Sequence, residues 1–335
     1  MRSSRPLKRA AGALALAAAL ALAACSTVSG VGASAGTPGA TLLIAFSSYR
    51  EDLGYPRIYF YRHDGIGSGT LDGGIPPGAT RSDHRPSLSA GGRFCAWTSE
   101  VVGKVSQIAL WDRKARKELP LPNLGAGVAD LGPTASGDTA WIAFSSWRRP
   151  GPGGWDLFLY ERTAEKVTAP EALNSDHDDR MPALSGDGRY LAFSSTRPGG
   201  AGLGDVYLYD RQAGALVPLP GLNGPASEVE PSVSGDGRLI AFVSTRPDGA
   251  GQRDVYLYDR GIKALVPLPG LNSLAPEQAP ALTADGRYLA FTSERLDGAG
   301  HRDLYLYDLR ARKLLPTPEL NSPRDDVDPA VVLAE

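Results

Sequence analysis

The stretch Pro182-Ala-Leu-Ser-Gly-Asp-Gly-Arg-Tyr-Leu-Ala-Phe193 decides the fold, because it recurs. It returns as Pro231-Ser-Val-Ser-Gly-Asp-Gly-Arg-Leu-Ile-Ala-Phe242 and as Pro280-Ala-Leu-Thr-Ala-Asp-Gly-Arg-Tyr-Leu-Ala-Phe291. Weaker copies begin at Pro86 and Pro133 and a stub at Pro329, so successive prolines stand 47, 49, 49, 49 and 49 residues apart. That period fits propeller blades of four strands each. Within a copy, Pro opens the innermost strand, where its missing N–H is tolerated. Ser-Gly-Asp-Gly makes a tight turn, with Gly at positive φ and Asp bonding nearby backbone. A second strand follows over Tyr190–Ser195, then a Gly-rich hairpin over Arg197–Gly204 and a third strand over Asp205–Asp210. The fourth strand falls in Leu216–Pro220, whose prolines suit an outer edge and discourage edge-to-edge pairing. Strands two and three are apolar or aromatic on both faces, as expected of a blade sandwiched between two others.

Counting closes the ring. The second strand occurs six times, ending near Ser48, Ser99, Ser146, Ser195, Ser244 and Ser293. The first copy lacks an inner strand, because it begins directly at Thr41-Leu-Leu-Ile-Ala-Phe46. The orphan Pro329-Ala-Val-Val-Leu333 supplies it, pairing chain end with chain start. The predicted fold is therefore all-β, a six-bladed propeller of four-stranded antiparallel blades over residues 41–335. Its first blade is irregular, with a Gly-rich insertion over Asp64–Ala79, and the second and third depart from the repeat at Gly91-Gly92 and Asp138-Thr139.

The motifs P-x-x-S-x-D-G-R-x-L-A-F-x-S-x-R and D-x-Y-L-Y-D resemble the TolB-type β-propeller repeat across essentially residues 41–335. The resemblance implies a propeller of the kind common in periplasmic and envelope proteins that bind other proteins. TolB also has a separate N-terminal α/β domain. Only a short tether precedes the first blade here, so that domain is not expected.

Arg2, Arg5, Lys8 and Arg9 precede an Ala/Leu run from Ala10 to Ala24. The run is short for a membrane span and fits a signal-peptide core. Leu22-Ala23-Ala24-Cys25 resembles the lipobox of bacterial lipoproteins. The resemblance implies a signal peptide over 1–24, lipidation of Cys25 and a cell-envelope protein held by its lipid anchor. By resemblance to enterobacterial lipoprotein sorting, Ser26 after the Cys favours the outer membrane, facing the periplasm. Residues 25–40 read as a flexible tether, small and uncharged, with a reach of roughly 20 Å. Cys95 is then the remaining thiol and reads as a buried small hydrophobe. Taking those four bases from the 35 Lys and Arg leaves 31 against 37 acids. An acidic body argues against nucleic acid as a partner.

An acid stands three residues before every anchoring proline: Asp83, Asp130, Asp179, Glu228, Glu277 and Asp326. Four residues after the second-strand aromatic stands Arg50, Arg148, Arg197, Arg246 or Arg295, and strand alternation puts both sets on one face. One reading is structural, each acid pairing with the Arg of its blade. The other is an anionic collar at the channel mouth that binds a metal or a cationic partner. The blade of Asp83 has Val101 where the Arg belongs. With His84 beside it, Asp83 is the candidate for an unpaired carboxylate, unless Arg81 or Arg85 neutralises it.

Asp176-His177-Asp178-Asp179 and Asp325-Asp326-Val327-Asp328 are candidate oxygen ligands for Ca²⁺ or another divalent ion, but neither has an EF-hand pattern, and no cofactor is expected. His63, His84, His177 and His301 lack metal spacing. No nucleophile elbow or Walker loop is present. Prolyl-oligopeptidase-type enzymes join a propeller to a hydrolase domain, which is not expected here. The reading is a non-catalytic scaffold for envelope proteins or peptidoglycan-associated components. The alternative is a hydrolase or lyase using a metal at the acidic mouth.

Overall fold

The computed structural model describes residues 41–51, 53–76, 81–125, 127–149 and 151–334. The expected signal peptide, the expected lipidation site Cys25 and the expected tether lie outside them. Among the described residues, strands β1 to β24 form six four-stranded antiparallel sheets. Blade 4 shows the plan: β12 (Asp179–Leu184) innermost, then β13 (Tyr190–Ser195), β14 (Asp205–Asp210) and the short edge β15 (Ala215–Val217). The expected second and third strands coincide with β13 and β14. The edge is shorter than expected and stops before Pro218.

Blade 1 closes the ring as the sequence requires. β24 (Asp326–Leu333) pairs with β1 (Leu42–Ser48), Leu42 standing opposite Leu333, and β2 (Arg57–His63) and β3 (Gly69–Gly74) complete the sheet. β3 lies within the Gly-rich insertion, so that segment is the outer strand of the blade. All 24 strands found among the described residues fall between Leu42 and Leu333, so the ring closes on itself within that segment.

Apolar side chains on both faces of the middle strands fill the seams between blades. Leu191 and Phe193 of blade 4 pack with Ala143, Leu157 and Leu159 of blade 3, and Leu42 and Phe46 of blade 1 pack with Ala290 and Leu306 of blade 6. Each large side chain so buried contributes roughly 1.5–3 kcal/mol, and a broken ring would expose two seams at once.

The anchoring proline does not open its strand, contrary to the sequence reading. The inner strand begins three residues earlier, at the acid, and Pro182 sits in mid-strand. A bulge between Arg180 and Ala183 takes Met181 and Pro182 out of the ladder, so the absent N–H costs nothing there. The same shift occurs in β4 (Arg81–Leu88), β8 (Asp130–Ala135), β16 (Glu228–Val233) and β20 (Glu277–Leu282).

At the other end, the turns after the inner strands meet around the axis. Gly137 N donates to Gly186 O and Gly235 N to Ala284 O, each 2.8 Å. A Cβ on Gly235 would lie 2.9 Å from both the Cβ and the O of Ala284. Two glycines of each Ser-Gly-Asp-Gly turn thus have different duties. The second takes positive φ, as at Gly188, and the first permits the blades to converge.

Candidate functional site

The six acids begin, or in β4 nearly begin, the inner strands, and all are buried. Five meet the Arg of their own blade: Asp130–Arg148 at 2.6 Å, Asp179–Arg197 at 2.7 Å, Glu228–Arg246 at 3.1 Å, and Glu277–Arg295 and Asp326–Arg50 at 3.0 Å. In blade 4 the guanidinium of Arg197 also donates to Ser195 Oγ and Leu173 O. It stacks on Phe193 and Tyr207, 5.0 and 4.7 Å from the ring centroids. The second oxygen of Asp179 accepts from Ser175 N at 2.7 Å. Asp179, Glu228, Glu277 and Asp326 each accept from a loop N–H four residues earlier, and so tie the incoming loop to the Arg and the aromatic pair behind it.

Asp83 is not unpaired. Arg81 Nε reaches its Oδ2 at 3.2 Å, and Trp97 Nε1 donates to its Oδ1 at 2.8 Å. Arg81 lies over Trp97, which takes the place of the usual Phe. Blade 2 thus rebuilds the charge–aromatic arrangement with a cation from the inner strand. Burial pushes the carboxyls of Asp83 and Asp130 above the usual range, and Arg81 and Arg148 respectively oppose the shift.

The acids do not line the channel mouth. The residues directly before the prolines do: Arg85, Gly132, Met181, Glu230, Ala279 and Asp328 border a cavity of about 430 Å³. All six have left-handed φ between 48° and 58°. For the five with side chains this conformation costs on the order of 1–2 kcal/mol each. The bulge holds it: Gly132 N donates to Thr98 Oγ1, Met181 N to Ser145 Oγ and Glu230 N to Ser194 Oγ, each hydroxyl belonging to the preceding blade. Val243 offers no hydroxyl at the equivalent place, and Ala279 N instead donates to Glu230 Oε2 at 2.8 Å. Glu230 also pairs with Arg253 at 2.6 Å. Asp328 is held above the usual carboxylate range by enclosure, with Arg85 and His84 opposing. The six anchoring prolines form the waist between this cavity and an aliphatic one of about 480 Å³ toward the turns.

Sequence reasoning placed the acids at the mouth and passed over these residues. The signal was available. The repeat keeps its acid and its proline but carries six different residues immediately before the proline. A second buried acidic set was also missed: Asp156, Asp205, Asp254 and Asp303, the first residues of four third strands. These carboxylates take N–H groups of the Gly-rich hairpins, as Asp254 does from Gly251 at 3.1 Å. A Cβ on Gly249 would lie 2.1 Å from Asp254 Oδ2. The hairpin glycines are therefore required by a wrapped carboxylate.

The two candidate Ca²⁺ clusters are dispersed. Asp178 pairs with Arg180, Asp179 with Arg197, Asp325 with Arg302 and Asp326 with Arg50. Among the described residues no three His, Cys, Asp or Glu side chains form a group able to hold a metal. His63 is buried, its Nε2 meeting Pro316 O at 2.9 Å, while His84 lines the mouth cavity. Cys95 is buried between blades 1 and 2, where burial pushes its thiol up to about 12.

Fold and site define a closed six-bladed β-propeller with a ring of ion-paired carboxylates around an open channel mouth. In architecture it is similar to TolB. Against the crystal structure of TolB from Acinetobacter baumannii the TM-score is 0.62 at 17% identity, covering 88% of this chain and 67% of that one. Against the putative TolB from Agrobacterium tumefaciens it is 0.54 at 15% identity, covering 88% and 97%. Enzymes share the architecture: an oligogalacturonate lyase in complex with manganese gives 0.52 at 14% identity, covering 82% and 77%. No family model and no curated relative matches the sequence.

Proposed function

We propose that this chain is a lipid-anchored envelope protein, held by Cys25 in the outer membrane and facing the periplasm, that binds a partner protein without catalysis. One observation carries the reading. Every blade presents an exposed apolar side chain on the mouth face. They are Leu53, Val102, Trp147, Leu203 and Leu296 in the loops between second and third strands, and Leu274 in the loop leaving blade 5. Leu203 and Leu274 are 86% and 90% exposed. An apolar crown around a polar cavity has the layout of a protein-binding surface. The carboxylate ring beneath it is already neutralised by arginine, which leaves it the work of architecture.

Site-specific photocrosslinking in the native envelope tests this. A crosslinker at residue 203 or 296 is expected to trap a discrete protein, and one at residue 262, exposed on the opposite face, is not. Equal trapping from both faces contradicts a mouth-face site. The anchor is tested separately: Cys25→Ser is expected to abolish fatty-acid labelling.

A further inference from the structure

We infer that the face opposite the mouth docks directly on an anionic lipid surface, a contact additional to the lipid anchor. The inference rests on the envelope reading above for its setting, but its geometry stands independently. The third strand of each blade runs away from the mouth, so the turns between third and fourth strands lie on the far face. In blade 2 that turn joins β6 (Gln107–Asp112) to β7 (Lys117–Leu119) and carries Lys114, Arg116 and Lys117. In blade 6 it joins β22 (Asp303–Asp308) to β23 (Lys313–Leu315) and carries Arg310 and Lys313. All five are exposed, and none has an ion-pair partner among the described residues. Asp112 and Asp308, which begin these turns, are taken by Arg93 and Arg287.

Blades 6 and 2 flank blade 1, so the free bases approach blade 1 from either side. Between them the turn of blade 1 carries Ile66, 68% exposed. Asp64 Oδ1 fixes that turn by accepting from the N–H groups of Ile66, Gly67 and Ser68. An apolar tip between cationic arms suits a headgroup region, with bases on phosphates and the tip below them. The chain also enters on this face: Thr41 precedes β1 at its far end, and Ala334 N donates to Thr41 O at 2.8 Å. The acid surplus lies at the mouth, so a negatively charged bilayer would repel the opposite orientation.

The test uses the propeller alone, residues 41–335, so its outcome is independent of lipidation at Cys25. Vesicles of phosphatidylcholine with about one-third phosphatidylglycerol are sedimented with the protein at low salt, beside vesicles of phosphatidylcholine alone. We expect binding to the anionic vesicles only, weakened by salt as a short Debye length requires. The variant Lys114→Glu/Arg116→Glu/Arg310→Glu/Lys313→Glu should bind at least about tenfold more weakly at an unchanged melting temperature. If it melts lower, the Lys114/Arg116 and Arg310/Lys313 pairs, measured separately, should each bind several-fold more weakly. Ile66→Ser should also weaken binding, whereas Lys104→Glu/Arg149→Glu on the mouth face should not. Three results would overturn the inference: equal binding to neutral vesicles, binding unaffected by charge reversal, or an equal loss from the mouth-face control.

Discussion

Arg81 and Val101 stand directly opposite each other in the pairing of β4 with β5 (Phe94–Val101), and the Arg81 side chain fills the role that residue 101 would have in any other blade. Its Nε lies 3.2 Å from Asp83 Oδ2. Losing the cation would leave a buried carboxylate with only the neutral donors Trp97 and Ser99. Arg81→Ala should cost about 3 kcal/mol by urea denaturation, within the range for breaking a buried pair. Adding Val101→Arg to that variant should recover about half or more of the loss, because residue 101 is the repeat equivalent of Arg148. No loss, or no rescue, would show that the blade 2 carboxylate is held by other means.

Removing residues 329–335 takes most of β24 from the inner edge of β1. Phe46 and its neighbours would then face solvent, and two blade seams would open. The expected outcome is aggregation, or a fall in melting temperature of more than about 10 °C, on the scale of several kcal/mol in a domain of this size. An unchanged melting curve would mean that the ring does not need its closing strand.

Asp210 should leave a signature in the pH dependence. The Arg189 guanidinium holds its carboxyl at about 2, below the usual range. Its folded pKa is depressed, so its stabilising contribution is present above the ordinary carboxylate pKa near 4 and is lost as pH falls toward 2. The stability difference between wild type and Asp210→Asn should be constant above about pH 5 and shrink between about pH 4 and 2. A difference that grows on acidification would have the wrong sign for this pairing.

A purified propeller should hold no stoichiometric divalent ion, and a chelator should leave its melting temperature within about 1 °C, since bound metal would otherwise stabilise the folded state. The reason is local: the ring carboxylates already have guanidinium partners, and Asp178 and Asp325 have theirs in Arg180 and Arg302. A tightly held ion, found by elemental analysis, would favour the metal-dependent hydrolase or lyase over the scaffold.

The blade period, strand identities and ring closure were legible because each arises from local chemistry repeated along the chain. Pro182, the Ser185–Gly188 turn and the aromatic pair Phe193 and Tyr207 recur at one spacing. The pairing of acid with arginine was legible for the same reason. The orientation of the acids was not. A proline reads as a strand opening, whereas the bulge at Met181–Pro182 lets the strand begin three residues earlier at Asp179 and turns the next side chains toward the axis. In blade 2 the choice between an unpaired Asp83 and one neutralised by Arg81 or Arg85 stayed open, because a repeat aligns positions along the chain and not across a sheet; the structure settles it on Arg81. Arg81 and Val101 are 20 residues apart in sequence and opposite each other in the blade.

The central claim is that the mouth face binds and the carboxylate ring holds the fold, and one comparison tests it directly. Photocrosslinking yield from residue 274 in the native envelope and the melting temperature of the purified propeller are measured for wild type, Leu203→Ser/Leu296→Ser and Asp179→Asn. The account predicts that the crown variant loses most of the crosslink at an unchanged melting temperature. It predicts that Asp179→Asn melts lower, by an amount corresponding to about 3 kcal/mol, and keeps the crosslink while folded. The opposite pattern, with Asp179→Asn losing the crosslink at full stability and the crown variant retaining it, would return the binding site to the acids and contradict the account.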